Sequence, residues 1–62
     1  MAKHWETHLY TYATFVFMGD KIKPENRAKM RAKAIRNGHT EGECLCIERN
    51  PLNYIKTGSF AA

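Results

Sequence analysis

The chemistry that this chain offers most clearly is positive charge, gathered into one short segment. Between residues 21 and 36, seven lysines and arginines stand against a single acid, so the segment has a charge of +6. The rest of the chain has three basic and five acidic side chains, a charge of −2, and the whole chain reaches +4. The basic side chains of the segment are Lys21, Lys23, Arg27, Lys29, Arg31, Lys33 and Arg36. This asymmetry predicts an acidic partner that faces the segment.

Nucleic acid fits this pattern, because clustered lysines and arginines replace the counterions condensed on a phosphate backbone. Arginine also makes bidentate contacts to phosphate that lysine makes less well. A soluble helix exposes charge simply to stay in solution, but such a face normally mixes both signs. The sequence contains no zinc-finger spacing, RNP aromatic motif or helix-turn-helix pair. We expect a regulatory or binding module for DNA or RNA that lacks a known base-reading motif.

The alternative interpretation is an inhibitor or adaptor that docks on an acidic surface of a larger host protein, such as a polymerase, a nuclease or a defence complex. Charge would speed the association, and a few aromatic or arginine anchors would hold the complex. The short single domain without known motifs is typical of reading frames from phages and other mobile elements. A third interpretation is a small structural subunit that works only within a homo-oligomer.

Two tyrosines are spaced so that they share one face of a predicted strand. Tyr10 and Tyr12 lie two residues apart, and unpaired bases stack on aromatic pairs of this kind. Tyrosine more often packs beneath a helix or within a dimer interface. No glycine or arginine pattern of an RNA-binding sheet surrounds this pair. We therefore expect Tyr10 and Tyr12 to pack beneath the helix or to belong to a dimer interface.

Five side chains are of types that bind zinc. They are His4, His8, His39, Cys44 and Cys46. Their spacing differs from that of structural zinc sites, in which cysteines are usually separated by two to four residues. The more ordinary interpretation is a buried pair of apolar cysteines with surface histidines, so no metal is expected. The two cysteines are also too close in sequence to join distant parts of a fold, and we expect both to be reduced.

Catalytic chemistry has little support in the sequence. The single aspartate, Asp20, follows a glycine in a predicted turn, and no Ser/His/Asp set or phosphate-binding glycine loop is present. His39 and either cysteine would form a Cys–His pair, but no third group is evident to orient the histidine. A chain of 62 residues has little room for a concave pocket. We expect neither an enzyme nor a cofactor.

The basic side chains must be positioned by a helix, which we predict over residues 24–37. Pro24 suits the first helical turn, where its missing N–H costs nothing, and Glu25 lies near the positive end of the helix dipole. Gly38 stands where a left-handed residue ends many helices. The apolar residues predicted to form the buried stripe of this helix are Ala28, Ala32 and Ile35.

Strands are predicted on both sides of this helix. Residues 8–18 are rich in Tyr, Thr, Phe and Val, which favour a pleated sheet. Residues 43–48 and 52–57 read as a hairpin joined by the turn at Asn50 and Pro51. The expected fold is a single α+β domain over residues 1–62, with β-α-β-β order and a three-stranded sheet carrying one basic helix on one face. The bare aromatic face of that sheet predicts a homodimer.

The sequence also allows predictions about where in the cell the protein is located. Its first residues lack the apolar stretch of a secretion signal. Its longest apolar run, residues 13–18, is much shorter than the ~20 residues of a membrane span. We expect a cytoplasmic protein that does not enter a membrane.

Overall fold

Residues 3–60 are described by the computed structural model, and all regular structure in this range is helical. The four α-helices are α1 (His8–Met18), α2 (Pro24–Arg36), α3 (Glu41–Arg49) and α4 (Pro51–Thr57). Short 3-10 turns at His4–Glu6 and Gly19–Lys21 precede α1 and α2. The predicted α+β fold with a β-α-β-β order is wrong, because none of residues 3–60 lies in a strand. The single domain was predicted to include residues 1–2 and 61–62, which lie outside the described range.

Helix α1 occupies the segment that was predicted to be the first strand. The Thr7 hydroxyl caps its first turn by accepting a hydrogen bond from the N–H of Tyr10 at 3.1 Å. Leu9, Tyr12 and Ala13 are buried at i, i+3 and i+4, which is helical spacing. The β-forming composition misled the prediction, because packing of one helical face outweighs propensity.

Helix α2 is confirmed as a helix, and it begins at Pro24 as predicted. Its C-terminal cap is Asn37, whose N–H returns to carbonyls of the last turn. Gly38 follows with φ +104°, a conformation that side chains rarely adopt, so the glycine prediction is also confirmed. The helix therefore ends one residue before the predicted boundary.

The buried face of α2 is not the one that was predicted. Ala28, Ala32 and Ile35 are all exposed. Ala34 is fully buried instead, and Met30 packs against the core from one turn earlier. The spacing of Met30 and Ala34 at i and i+4 was visible in the sequence. Arg27 and Arg31 lie on the same side of the helix, however, and made that side look polar.

Helix α3 begins with a reciprocal cap that the sequence contains as Thr-x-x-Glu. The N–H of Glu43 donates to the Thr40 hydroxyl at 3.1 Å, and the N–H of Thr40 donates to the Glu43 carboxylate at 2.8 Å. Cys44 and Ile47 are buried three residues apart on the inner side. The predicted strand over residues 43–48 is therefore wrong, because these residues lie within α3.

Helix α4 follows α3 after one residue, and the supposed hairpin turn is its start. The Asn50 side chain accepts a hydrogen bond from the N–H of Asn53 at 3.4 Å, and Pro51 takes the first helical position. Tyr54 is buried, and Gly58 ends the helix with φ +73°. The predicted third strand over residues 52–57 is thus also wrong.

The hydrophobic core is small and centres on α1, which packs against α2, α3 and α4. Its buried side chains are Leu9, Tyr12, Ala13, Ala34, Cys44, Ile47 and Tyr54. Helix α2 contributes a single buried residue to this group, so most of its surface remains outside the core. No helix within residues 3–60 is long and apolar enough to cross a membrane.

Candidate functional site

Three basic side chains of α2 lie together on the face that points away from the core. Lys29, Lys33 and Arg36 are exposed and follow one another at i, i+4 and i+7. At 1.5 Å per residue, this row runs for about 10 Å along the helix axis. Within residues 3–60, none of the three forms an ion pair with a carboxylate. The row therefore presents its positive charge to solvent.

Two further exposed lysines lie just before the start of α2. Lys21 ends the 3-10 turn that follows α1, and Lys23 is the residue immediately before Pro24. Both side chains are exposed, and neither takes part in an ion pair in the part of the chain that the structure describes. We call the five cations Lys21, Lys23, Lys29, Lys33 and Arg36 the basic face.

Two of the predicted binding residues are used inside the fold. Arg27 is half-buried and donates from its guanidinium to the carbonyl of Gly19 at 3.1 Å, which ties α2 to the end of α1. Arg31 is also half-buried, and its Nε donates to a carboxylate oxygen of Glu48 at 2.9 Å. The structure thus separates these two arginines from the basic face.

Arg31 belongs to a polar network that joins three helices. The Tyr12 hydroxyl on α1 donates to the same oxygen of Glu48 at 2.8 Å, and a second Arg31 nitrogen lies 3.6 Å from Glu41. Burial raises the pKa of Tyr12 to about 12, with help from the hydrogen bond and the charge of Glu48. Burial opposes ionisation of Glu48, but hydrogen bonds from Arg31 and Tyr12 outweigh it and lower the pKa of that carboxyl. The network therefore holds Glu48 ionised and Tyr12 neutral.

Tyr10 and Tyr12 do not share one face, as the sequence predicted that they would. Residues two apart on a helix point about 200° away from each other. Tyr12 is buried, whereas Tyr10 is half-buried with its ring 5.7 Å from that of His4. The prediction placed both on one strand face, and that geometry is absent because the segment is helical.

The side chains considered for zinc are dispersed over the fold. His4 shares a hydrogen bond of 3.0 Å with the carbonyl of Ile55, and His39 lies 3.5 Å from Glu43. Cys44 is buried, and burial raises the pKa of its thiol. Cys46 is half-buried on another side of α3, and both thiols are free. Among residues 3–60, no three His, Cys, Asp or Glu side chains come together as metal ligands.

Two concave regions border the helices, and neither encloses a ligand-sized space. A cleft between α3 and α4, lined in part by Ile47, Tyr54 and Phe60, has a volume of about 50 Å³. Small-molecule sites usually occupy about 300–1,000 Å³. A wider groove of about 480 Å³ between α1, α2 and α3 is open to solvent along its length. Tyr12, Val16 and the Arg31–Glu48 pair are among the residues that line it.

Sequence reasoning missed one polar residue beside the basic face. Asn26 is exposed in the first turn of α2, on the flank of the helix that also carries Lys29 and Lys33. Its side-chain amide has no hydrogen-bond partner among residues 3–60. Once residues 24–37 are predicted to be helical, the spacing of Asn26, Lys29 and Lys33 places this amide next to the two lysines.

No family model, no curated protein and no solved structure matches this chain.

Proposed function

We propose that this chain binds nucleic acid through the basic face of α2. The observation that carries the proposal is the row of Lys29, Lys33 and Arg36, which is exposed and without carboxylate partners in the described part of the chain. Each such cation can displace a counterion from a phosphate backbone. The sequence predicted seven contacting residues; the proposal now rests on the five of the basic face.

The acids of the molecule support this interpretation, because most of them are engaged elsewhere. Glu48 and Glu41 lie against Arg31, and Glu43 is part of the cap of α3. Glu6 accepts a hydrogen bond from the backbone of Lys3 at 3.1 Å. Asp20 and Glu25 are exposed, but α2 has five basic side chains against the single acid Glu25, so its surface keeps a positive surplus.

The shape of the site favours a polymer over a small anion. The basic face is a convex helix surface, and its three central cations extend over about 10 Å. A small anion would be held by converging donors in a concave site, and no such convergence occurs at these residues. A polyanion can contact several separate cations at once, which is how a backbone is bound.

Titrating labelled oligonucleotides at salt concentrations between about 50 and 300 mM tests the proposal. Binding should weaken linearly in log–log form as salt rises. The triple variant Lys29→Gln, Lys33→Gln, Arg36→Gln should lower the salt slope by about 2 to 3, because about 0.9 counterion is released per phosphate contact on duplex DNA.

A matched control removes the same charge from the rest of the molecule. Lys3→Gln, Arg49→Gln and Lys56→Gln change three exposed cations outside α2. This variant should keep most of the affinity and slope of the parent. Equal losses in both triple variants would mean that net charge, not the basic face, governs binding. Absence of binding to any oligonucleotide at low salt would refute the proposal, and a protein retained from nuclease-treated lysate would then favour the inhibitor or adaptor.

A further inference from the structure

Helix α2 contacts the rest of the fold, chiefly α1, through one side of its surface. Ala34 is its only buried residue, and Arg27, Met30 and Arg31 are half-buried beside it. At about 100° per residue, these four residues span only about a third of the helix circumference. The nine exposed residues are Pro24, Glu25, Asn26, Ala28, Lys29, Ala32, Lys33, Ile35 and Arg36. The helix therefore stands out from the body as a cylinder open on three sides.

The geometry points to α2 as a helix that enters the major groove of duplex DNA, an inference that rests on the nucleic-acid binding proposed above. A helix with side chains is about 10–12 Å in diameter, and the major groove of B-form DNA is about 12 Å wide. A helix buried on two or three sides would not fit, whereas an exposed cylinder does. The major groove of A-form RNA is deep and narrow and does not admit such a helix.

A small side chain, Ala32, lies near the part of α2 that would go deepest into the groove. By helical geometry, Glu25, Ala32 and Arg36 lie near the middle of the exposed arc, and Ala28 lies to one side of it. The methyl groups of the two alanines keep the helix slim, and alanine makes apolar contacts with the methyl group of thymine. Ala28 and Ala32 were predicted to be buried, but as exposed residues they can contact the bases.

Polar residues suited to bases and phosphates lie on one side of these alanines around the helix. Asn26 carries an amide of the kind that pairs with the major-groove edge of adenine. Lys29, Lys33 and Arg36 offer donors that pair with guanine or with flanking phosphates. Base edges and backbone are thus both within the repertoire of one helix face.

Helix α3 is the competing candidate, because it follows α2 after a connection of helix-turn-helix length. Residues 37–40 form that connection and include Gly38. The first turn of α3 carries Glu41 and Glu43, however, where a recognition helix would approach DNA. Helix α3 has three acidic side chains against the single basic Arg49, whereas α2 has five basic side chains against the single acid Glu25. Phosphate would therefore repel α3 more than α2, and α2 is assigned as the helix in the groove.

The experiment compares the same 20-nucleotide sequence as duplex DNA, duplex RNA and single-stranded DNA at one salt concentration. We expect duplex DNA to bind at least about tenfold more tightly than duplex RNA, since only the DNA groove admits the helix. Dimethyl sulfate footprinting adds the location of binding. Bound protein should protect N7 of guanine, which lies in the major groove, and leave N3 of adenine in the minor groove reactive.

A variant that adds bulk without changing charge separates groove entry from electrostatics. Ala32→Leu enlarges an exposed position and keeps a strong helix former, so the fold should tolerate it. It should weaken duplex DNA binding about tenfold and leave single-strand binding unchanged. Leu52→Phe, which adds bulk at an exposed position of α4, is the control and should bind like the parent.

The outcomes distinguish this inference from the function on which it rests. Equal affinity for all three nucleic acids, with the loss still caused by the triple variant of Lys29, Lys33 and Arg36, would overturn groove entry and leave backbone binding standing. Protection of adenine N3, or an unaffected Ala32→Leu variant, would likewise overturn it. Failure to bind any of the three would remove both proposals together.

Discussion

Helices α1 and α2 are similar in length but contribute to the molecule in opposite ways. Helix α1 lies at the centre, contacts the other three helices and buries Leu9, Tyr12 and Ala13. Helix α2 buries one alanine and exposes nine of its thirteen residues. The difference indicates that α1 provides the largest share of the core, whereas α2 packs against it on one side and leaves most of its surface exposed.

The same contrast recurs within α2 among residues of one type. Arg27 and Arg31 turn toward the body and bond to a carbonyl and a carboxylate. Lys29, Lys33 and Arg36 turn outward and find no such partner within residues 3–60. A basic residue on this helix is therefore structural or available according to its position around the axis, and charge counts alone cannot tell the two apart.

The largest expected effect comes from removing a core side chain of α1. Leu9→Ala leaves a cavity at a position with no exposure, so it should cost about 3 kcal/mol of unfolding free energy. A domain of this size has only a few kcal/mol to lose, and the variant should be largely unfolded. Urea titration followed by circular dichroism measures the change.

The matched substitution on α2 is Ile35→Ala. Ile35 is 39% exposed, so its truncation should cost less than about 1 kcal/mol. Similar losses of unfolding free energy from Leu9→Ala and Ile35→Ala would contradict this difference in burial between α1 and α2.

Only part of this arrangement could be predicted from the sequence. The position of α2 followed from Pro24 and Gly38, whose backbone preferences act locally and independently of the fold. Helix α1 could not be recognised by composition, since its tyrosines, threonines and phenylalanines favour strands until a core forms around Leu9 and Tyr12.

The sequence contains capping motifs for helices α3 and α4, although both segments were predicted to be strands. Thr40 with Glu43 is a capping box, and Asn50 with Pro51 is a helix start. The sequence predicted the positive charge of the candidate site but not which of its basic side chains point away from the core. Arg31 turns inward to pair with Glu48, seventeen residues away in the sequence, and such a pairing becomes visible only in the folded chain.

A smaller effect should separate the two faces of α2 directly. Arg31→Gln breaks a charged hydrogen bond to Glu48 at a site that is about a quarter exposed, so it should cost about 1 kcal/mol of unfolding free energy. Lys33→Gln should change stability by less than about 0.5 kcal/mol, because its side chain has no ion-pair partner among residues 3–60.

Oligonucleotide affinity should respond in the reverse order. Lys33→Gln removes an exposed cation from the basic face, whereas Arg31→Gln removes one that Glu48 already compensates. Both variants change net charge equally, so each is the control for the other. A larger loss of binding from Arg31→Gln in a fully folded protein would place Arg31 on the binding surface.

The last expected effect, which is no larger at neutral pH than that of Arg31→Gln, concerns the hydroxyl of Tyr12 on α1. Tyr12→Phe removes one hydrogen bond to Glu48 and should cost about 0.5–1 kcal/mol at pH 7. Above pH 10 an unfolded tyrosine loses its proton, while the raised pKa of about 12 keeps Tyr12 protonated in the folded protein. The unfolded state then binds fewer protons than the folded state, so the stability that Tyr12 contributes falls as pH rises from about 10 toward 12.

Phenylalanine has no proton to lose, so the advantage of the parent over Tyr12→Phe should shrink in that window. Urea midpoints of both proteins at pH 7, 9, 10 and 11 would show it, because the other titrating groups are common to the two. A difference that stays constant up to pH 11 would mean that the hydroxyl is not held in its neutral form. The bond between Tyr12 and Glu48 would then not link α1 to α3, and Arg31 alone would account for the position of Glu48 beside α2.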